Sequence, residues 1–180
     1  NPNNMGKTLI AGGPTYTYAP LDRFITFLKG NDGQYYVHNF YFNGWRTKVY
    51  GSENERVFPE PSLIKENTKW AICKNRPYVY FTSGNELYAY NYSTDGNTVK
   101  KLEGCHFDRT IKAIAINPMN HEQLAVAVEN SNDPSKCDFM LLDVSVVGDG
   151  AIIDGSKKEA AFGNVTMINY KVGIQWYIPD

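Results

Sequence analysis

One strand-like stretch recurs three times along this chain at an even spacing. The stretches QYYVHNFY, ELYAYNYS and DFMLLDVS begin at residues 34, 86 and 138, which are 52 residues apart. Each alternates between two sets of side chains with the two-residue period of a β-strand. A repeat of about this length restricts the fold to architectures that stack similar units.

The three copies share positions on both faces of the strand. The positions that we expect to be buried on one face are Tyr36, Tyr88 and Met140, then His38, Tyr90 and Leu142, then Phe40, Tyr92 and Val144. On the other face Asn39, Asn91 and Asp143 recur near the end of each strand. A short Asx side chain at such a position can bond the backbone of the following turn. We predict that these three residues form a structural repeat.

The surroundings of each copy predict a complete unit of sheet. An alternating run and a turn cluster precede each copy, which indicates a hairpin. KWAIC and IKAIAI lie upstream of two hairpins, and NTVKKLEG and KKEAAFG lie downstream, so four antiparallel strands form each unit. Units of four short strands predict an all-β fold, a partial β-propeller of about three to four blades.

The predicted blade boundaries follow from these segments. The blades are expected at residues 7–51, 69–103, 111–163 and, as a partial fourth, 164–180, within one domain spanning residues 1–180. Residues 52–68 are polar and carry two prolines, which favours a long connection between blades. The chain begins at Asn1 rather than at a methionine, so we expect it to be part of a longer precursor.

The charge balance excludes some classes of partner. Eighteen basic and nineteen acidic residues give a net charge of −1, too small to hold nucleic acid or an anionic membrane. The sequence also contains no run of about 18 apolar residues that could span a membrane. We therefore predict neither a nucleic-acid partner nor a membrane span in this chain.

Three segments of the C-terminal half resemble a known family. IKAIAINPMNHEQLAVAVEN, DFMLLDVS and AAFGNVTMINYK are similar to the C-terminal propeller blades of PKD-like surface lipoproteins of Bacteroidetes, a resemblance that covers residues 22–172. It implies a lipid-anchored precursor at the outer membrane and cell surface. It also implies a non-enzymatic module that binds or displays, with a glycan or a host surface as its partner. Neither the lipid-bearing cysteine nor the PKD module matches any position here.

One aromatic group is the candidate ligand platform. Trp45 lies in a predicted turn, where a large indole has less reason to be buried than it has in a strand. Sugar rings stack on flat apolar faces while polar neighbours bind their hydroxyls. Trp45, Tyr41 and Arg46 are therefore the predicted carbohydrate site, and packing between blades is the alternative interpretation of Trp45.

The sequence predicts no catalytic residue, metal ligand or cofactor. The motifs HExxH, GxSxG, GxxxxGK[ST] and GxGxxG are absent. A carbohydrate-active hydrolase or lyase remains an alternative, with Glu53, Glu55 and Glu60 as the first acids to test. A protein-binding scaffold that uses its blade edges is a third possibility.

Histidines and acidic turns give no metal motif. His38, His106 and His121 have no common spacing and are predicted to be structural. The turns GNDGQ and ENSNDPSKCD carry carboxylates without the EF-hand pattern, so turn chemistry explains them better than calcium.

The three cysteines leave two alternatives open. Cys73, Cys105 and Cys137 form no CxxC pair. They are either three buried free thiols or one disulfide with one spare thiol.

Overall fold

The structure is a computed structural model of the 180-residue chain. It describes residues 6–15, 22–42, 49–52, 55–73, 76–93, 95–146, 150–161 and 173–176. Within these ranges the regular structure is almost all strand, arranged in three separate antiparallel sheets.

The first sheet is a meander of consecutive strands. Its strands are β1 (Lys7–Pro14), β2 (Asp22–Gly30), β3 (Tyr35–Phe42), β4 (Val49–Ser52) and β5 (Arg56–Val57). The order is β1-β2-β3-β4, and β5 also pairs with β3. β4 lies beside the end of β3 and β5 beside its start, so two short pieces together form the outer edge.

The second sheet has four strands in sequence order. They are β6 (Trp70–Ile72), β7 (Tyr78–Ser83), β8 (Glu86–Asn91) and β9 (Thr98–Lys101). The β7–β8 turn is only two residues long, and its Gly84 has a φ of +65°, a backbone conformation that suits glycine. Tyr80 of β7 and Tyr90 of the repeated stretch are fully buried, whereas the repeated Tyr88 is half-buried.

The third sheet repeats the plan of the first. Its strands are β10 (Ile111–Ile116), β11 (Gln123–Glu129), β12 (Lys136–Asp143), β13 (Ala151–Ile152) and β14 (Lys158–Ala161). The order is β10-β11-β12-β13, and β14 pairs with the start of β12. Ile153 N and Ser156 Oγ both bond to the backbone of Leu141, which holds the break between β13 and β14 against β12.

These sheets confirm the all-β class and the antiparallel unit that the repeat predicted. Each sheet follows a four-strand meander of the kind that forms a propeller blade, and the first and third sheets add a fifth short strand. Each contains one of the three repeated stretches as its third strand. The chain divides into two compact units. One unit contains Asn1–Ser62, Ile72–Tyr78 and Asn91–Thr98, and the other contains Leu63–Ala71, Val79–Tyr90 and Val99–Asp180. The single-domain boundary stays a prediction.

The expectation of one buried face is wrong for two of the repeated strands. In β3 both Val37 and Asn39, on opposite sides from Tyr36 and His38, are almost fully buried. In β8 Leu87 has no exposed surface although it faces away from Tyr90. Strands covered on both faces need apolar side chains at successive positions, and that weakens the alternation by which a buried face is recognised.

The long connection predicted at residues 52–68 is wrong in part. β5 lies inside it and pairs with β3, and Phe58 N donates a hydrogen bond of 2.7 Å to Tyr35 O. Phe58 is 1% exposed and packs edge to face on Phe27, with ring centroids 6.3 Å apart. Burying such a side chain contributes roughly 1.5–3 kcal/mol. A short 3-10 turn, Pro61–Leu63, then leads towards the second sheet.

The partial fourth blade at 164–180 lies outside the described residues except for 173–176. Within that piece Trp176 Nε1 donates a hydrogen bond of 3.2 Å to Ala115 O of β10. Ile174 packs on a small core of Ala113, Ala127 and Cys137. The segment therefore contacts the third sheet.

Candidate functional site

A polar cleft opens beside the β11–β12 hairpin of the third sheet. Its volume is about 160 Å³. Its charged and titratable lining residues are His106, Asp108, Arg109, Glu129, Asp138 and Lys157. Apolar side chains complete the lining, namely Phe107, Val128, Met140 and Ile152. Charged groups thus converge here on a floor of sheet.

The register of the hairpin decides which acidic side chain faces this cleft. β11 is buried along nearly its whole length and ends with Glu129, and Asp138 is the third residue of β12. Val128 pairs with Asp138, and Glu129 pairs with Cys137. Asp138 therefore shares the cleft face with Val128, while the Glu129 side chain lies on the opposite face with Cys137. Both residues are buried, with Glu129 6% and Asp138 7% exposed.

Asn130 fixes the geometry of the hairpin at this point. Its Nδ2 donates to Asp138 Oδ1 at 2.9 Å and to Glu159 Oε1 at 3.2 Å. Its Oδ1 accepts hydrogen bonds from the backbone amides of Asn132 and Asp133. Because both ends of this buried amide are used, the turn and the Asp138 carboxylate are held in one arrangement.

Asp138 is a partnered carboxylate. Lys157 Nζ lies 3.6 Å from Asp138 Oδ2, while Asn130 bonds the other oxygen. Burial of a carboxylate is tolerated when hydrogen bonds and an opposite charge accompany it. Asp138 therefore serves to hold Lys157 and Asn130 in place at the edge of the cleft.

Glu129 lies on the other face of the hairpin. It is 6% exposed and pairs with Cys137. Burial is the main cause that raises the pKa of the Cys137 thiol, the charges of Asp138 and Glu129 add to the rise, and Lys112 opposes it. The Glu129 side chain therefore belongs to the packing behind the floor of the cleft.

The opposite wall comes from the connection that precedes β10. Asn85 Nδ2 donates a hydrogen bond of 2.7 Å to Phe107 O, which ties this connection to the β7–β8 turn. His106 is largely exposed, with its Nδ1 3.6 Å from Glu86 Oε1. Arg109 is exposed as well, so the rim carries solvated groups beside the buried floor.

The predicted carbohydrate platform lies outside the described residues. Trp45 and Arg46 fall in the gap at 43–48. Tyr41 is described only through its backbone, which pairs with Arg23 and Gly51 in the first sheet. The platform stays a prediction.

The acidic residues predicted for the enzyme alternative differ in burial and in partners. Glu55 Oε1 lies 2.5 Å from Lys7 Nζ, in an ion pair that is mostly buried. Glu60 is exposed just before the 3-10 turn. Glu53 lies outside the described residues.

Of the three Asx residues, two make the local bond that the repeat suggested. Asn91 Oδ1 accepts from Ser93 N, and Asp143 Oδ1 accepts from Ser145 N, each at 2.9 Å. Asn39 lies inside β3 and is buried, because the strand continues beyond it to Phe42. The common role of the three stays a prediction.

The histidines do not converge. His38 is buried and its ring packs on Phe40, with centroids 4.3 Å apart. Its Nδ1 has no hydrogen-bond partner among the described residues, so the satisfied structural role expected for it is not seen. Within those residues no three His, Cys, Asp or Glu side chains are grouped as a metal site would need.

The acidic turns bond internally. Asp32 Oδ1 accepts from Gln34 N at 3.0 Å and its Oδ2 accepts from the Tyr36 hydroxyl, and the latter bond is the main reason that the pKa of Asp32 lies below its usual value. The Ser135 hydroxyl and amide similarly lower the pKa of Asp133. These carboxylates stabilise the turns.

All three cysteines are free, buried thiols. The Cys137 thiol donates to Val128 O at 3.0 Å, behind the floor of the cleft. Burial raises the pKa of Cys105 and of Cys137 to about 11. Both thiols therefore stay protonated at neutral pH and are poor nucleophiles.

Sequence reasoning missed the cleft. The sequence predicts Glu129 only as part of an acidic turn and Asp138 only as the start of a strand. The available signal was a charged residue at each end of the turn between two strongly apolar runs, LAVAVE and CDFMLLD. Charges at such positions are placed by the hairpin register next to the core.

Comparisons with known proteins add little to this description. No protein-family model matches the chain, and no curated protein matches it. A similar solved structure is the β-propeller domain of Cps50 (Swd1) from Myceliophteria thermophila, with 13% identity and a TM-score of 0.36. The match covers 88% of this chain and 42% of that one, so this chain spans less than half of that length. The fold class rests on the strand pairing described above. Among the described residues, no helix is long and apolar enough to cross a membrane.

Proposed function

We propose that this chain is a non-enzymatic binding module and that its ligand site is the cleft of the third sheet. The observation that carries the proposal is the preformed floor of the cleft, where Asn130 locks Asp138 and the hairpin turn through four hydrogen bonds. Binding sites are typically largely formed before the ligand arrives, with a few fixed polar groups among apolar ones. Phe107, Val128, Met140 and Ile152 supply the apolar part.

The size of the cleft restricts the ligand. Sites for whole drug-sized molecules measure about 300–1,000 Å³. A volume of about 160 Å³ fits one side chain or one small functional group instead. The module would thus bind a small molecule, or one projecting group of a larger partner.

The cellular setting proposed for the module rests on the resemblance to PKD-like surface lipoproteins. Display on a bacterial surface requires a lipid-modified precursor. Labelling the source cells with a palmitate analogue and recovering the full-length protein would test this. Recovery of an unlipidated, cytosolic protein would contradict it.

A glycan partner remains a separate proposal that depends on Trp45. A glycan array run with the parent chain and with Trp45→Ala tests it directly. Binding that survives the substitution would argue against the platform. Turnover of a glycan that Glu60→Gln abolishes would instead support the enzyme alternative.

Binding of a ligand to the cleft can be tested through the methyl signal of Met140. Methionines labelled with ¹³C at their methyl groups report on it, because Met140 lines the cleft and Met119 lies exposed elsewhere. A panel of cationic, anionic and neutral small molecules is titrated while the methyl spectrum is followed. A ligand of the cleft should shift the Met140 signal and leave Met119 unchanged.

A blocking variant provides the matched control. Ser131 is exposed and lines the cleft, while Asn132 is exposed beside it and does not. Ser131→Tyr should abolish the Met140 shift, and Asn132→Tyr should preserve it. A panel in which no compound moves Met140, or shifts that Ser131→Tyr leaves intact, would refute the cleft as the ligand site.

A further inference from the structure

We infer that the third sheet carries a second binding site, an apolar cavity that takes a small uncharged molecule of the size of a substituted benzene ring. The cavity measures about 230 Å³ and lies between β11, β12 and the segment 173–176. Its apolar lining includes Ala125, Phe139, Leu141, Ile174 and Trp176. The inference goes beyond the proposed function, because it concerns the face of the sheet opposite to the cleft.

The alternation of side chains along β12 separates the two sites. Phe139 and Leu141 line the cavity, and Leu141 pairs with Ala125 of β11. Asp138 and Met140 line the cleft and alternate with them along the same strand. Successive side chains of a strand point to opposite faces, so the two sites lie on opposite faces. Met140 borders the cavity as well, but its side chain belongs to the cleft face.

The segment 173–176 forms a wall of the cavity that is held without a ligand. Trp176 Nε1 donates a hydrogen bond of 3.2 Å to Ala115 O of β10. Ile174 packs on the small core that includes Ala127 and Cys137. These two contacts attach the segment to the sheet beside the cavity.

The polar groups of the lining are engaged within the protein. Ser156 Oγ accepts a hydrogen bond of 3.1 Å from Leu141 N and donates one of 3.3 Å to Leu141 O. Trp176 Nε1 is used by Ala115 O. Gln175, which is exposed, is the remaining polar side chain among the described lining residues. A charged or strongly polar ligand would therefore lose hydrogen bonds with water and regain few of them.

Apolar surface is available to a ligand in the same place. Phe139, Leu141, Ile174 and Trp176 are only partly buried. Removing such surface from water favours binding. Apolar cavities of about 150 Å³ bind benzene. A cavity of about 230 Å³ has room for such a ring with a small substituent.

A free molecule fits this cavity better than a side chain of a protein partner. A peptide brings amides and carbonyls next to its side chain, and these groups need hydrogen-bond partners when they are buried. The backbones of β11 and β12 already pair with each other along the cavity. Ser156 occupies both the amide and the carbonyl of Leu141. The lining thus favours a ligand that has no backbone.

The indole N–H signals of ¹⁵N-labelled tryptophan report on this site. Trp176 lines the cavity, whereas Trp70 lies in β6 of the second sheet and does not. Trp176→Phe and Trp70→Phe assign the two signals. Toluene should shift the Trp176 signal to saturation and leave the Trp70 signal unchanged. Benzylamine and benzoate carry the same ring with a charge and should not shift the Trp176 signal.

A fourth compound distinguishes a free molecule from a presented side chain. N-acetyl-phenylalanine methylamide carries the same ring on a peptide backbone. Weaker binding of this compound than of toluene supports a free molecule as the ligand. Equal or tighter binding contradicts that assignment and indicates a protein partner.

Matched substitutions of alanine by leucine locate the binding. Ala125→Leu fills the cavity and should weaken toluene binding by roughly tenfold or more, whereas Ala151→Leu should change it by less than about twofold. Ala151 lies in β13 of the same sheet and does not line the cavity. Leu141→Phe narrows the cavity from a partly buried position and should also weaken binding. It decides the question if circular dichroism shows that Ala125→Leu does not fold.

Failure of the inference is distinct from failure of the proposed function. The inference is wrong if toluene does not shift the Trp176 signal, or if the charged analogues shift it equally. It is also wrong if both narrowing variants bind toluene as the parent does, or if Ser131→Tyr, which blocks the cleft, abolishes the shift. The cleft is tested separately through the Met140 signal.

Discussion

Gly150 is the residue at which one added carbon would disturb the core most directly. Its φ is +65°, and a Cβ at this position would lie 2.7 Å from Cδ2 of Leu102, which is fully buried. The left-handed conformation costs a residue with a Cβ about 1–2 kcal/mol. Overpacking a core typically adds about 1–3 kcal/mol. We expect Gly150→Ala to lower the free energy of unfolding by both amounts, as measured by urea denaturation.

Gly155 separates the two contributions. Its φ is +71°, but nothing lies within 4 Å of the position that a Cβ would take. Gly155→Ala should therefore lose only the conformational part. Equal losses in the two variants would show that contact with Leu102 does not matter.

The buried thiols predict a loss of stability in alkaline solution. Burial raises the pKa of Cys105 from 9.0 to about 11. Above pH 9 the unfolded chain releases this proton while the folded chain keeps it, so stability falls as the pH rises from 9 towards 11. Below that window the thiol contributes no pH dependence.

The variant Cys105→Ala tests whether this thiol causes the loss of stability at alkaline pH. The melting temperature of the parent should fall more steeply between about pH 8 and about pH 10.5 than that of Cys105→Ala. The comparison cancels the titration of tyrosines and lysines, which both proteins share. Parallel slopes would mean that the thiol is not protected in the folded state.

Arg56 shows how a short strand can stabilise more than its own sheet. It belongs to β5, and its guanidinium donates to Ser93 O at 2.8 Å and to Tyr92 O at 2.5 Å. Tyr92 is buried, and its hydroxyl in turn donates towards Cys73 O and Arg76 O. One planar group thereby joins β5 to Tyr92 and Ser93, which follow β8.

Arg56→Lys is the sharpest test of that arrangement. A lysine ammonium cannot reproduce the fixed fork of two parallel donors. The loss should be about 1–3 kcal/mol in the free energy of unfolding, the usual effect of leaving a buried polar group without its partner. Arg109→Lys is the control, because its exposed guanidinium makes no hydrogen bond within the described residues. Similar losses in both variants would contradict a specific role for Arg56.

The elements that could be predicted from the sequence are those with long alternating runs. β2 and β3, β7 and β8, and β11 and β12 were all expected, because aromatic and β-branched residues alternate there and Gly or Asn marks the turns. β5 was missed, since two residues carry no period and Phe58 is a lone aromatic in a polar stretch. The position of β5 depends on its pairing with β3, a contact between residues far apart in the sequence.

The cleft could not be predicted for a related reason. Its floor depends on the register that sets Val128 opposite Asp138. Its far wall comes from residues 106–109, which lie before β10 and are held by Asn85. Local sequence showed that Glu129 and Asp138 were charged near apolar runs. It did not show that Asp138 would lie on the cleft face and Glu129 on the opposite face.

At the scale of the whole molecule, the antiparallel sheets support a polar cleft with a fixed floor. Asn130 bonds the Asp138 carboxylate and the backbone of the hairpin turn, and Lys157 pairs with the same carboxylate. Buried polar groups whose hydrogen bonds are satisfied make the surrounding structure rigid. The central claim is that these contacts hold the floor of the cleft in one arrangement.

The most direct test is the free energy of unfolding of Asn130→Ala without ligand, compared with the parent by urea denaturation at neutral pH. The substitution leaves the buried Asp138 carboxylate and the amides of the turn without this partner, which should lower the free energy of unfolding by about 1–3 kcal/mol. A loss of that size is the predicted result, and an unchanged free energy of unfolding would contradict the claim.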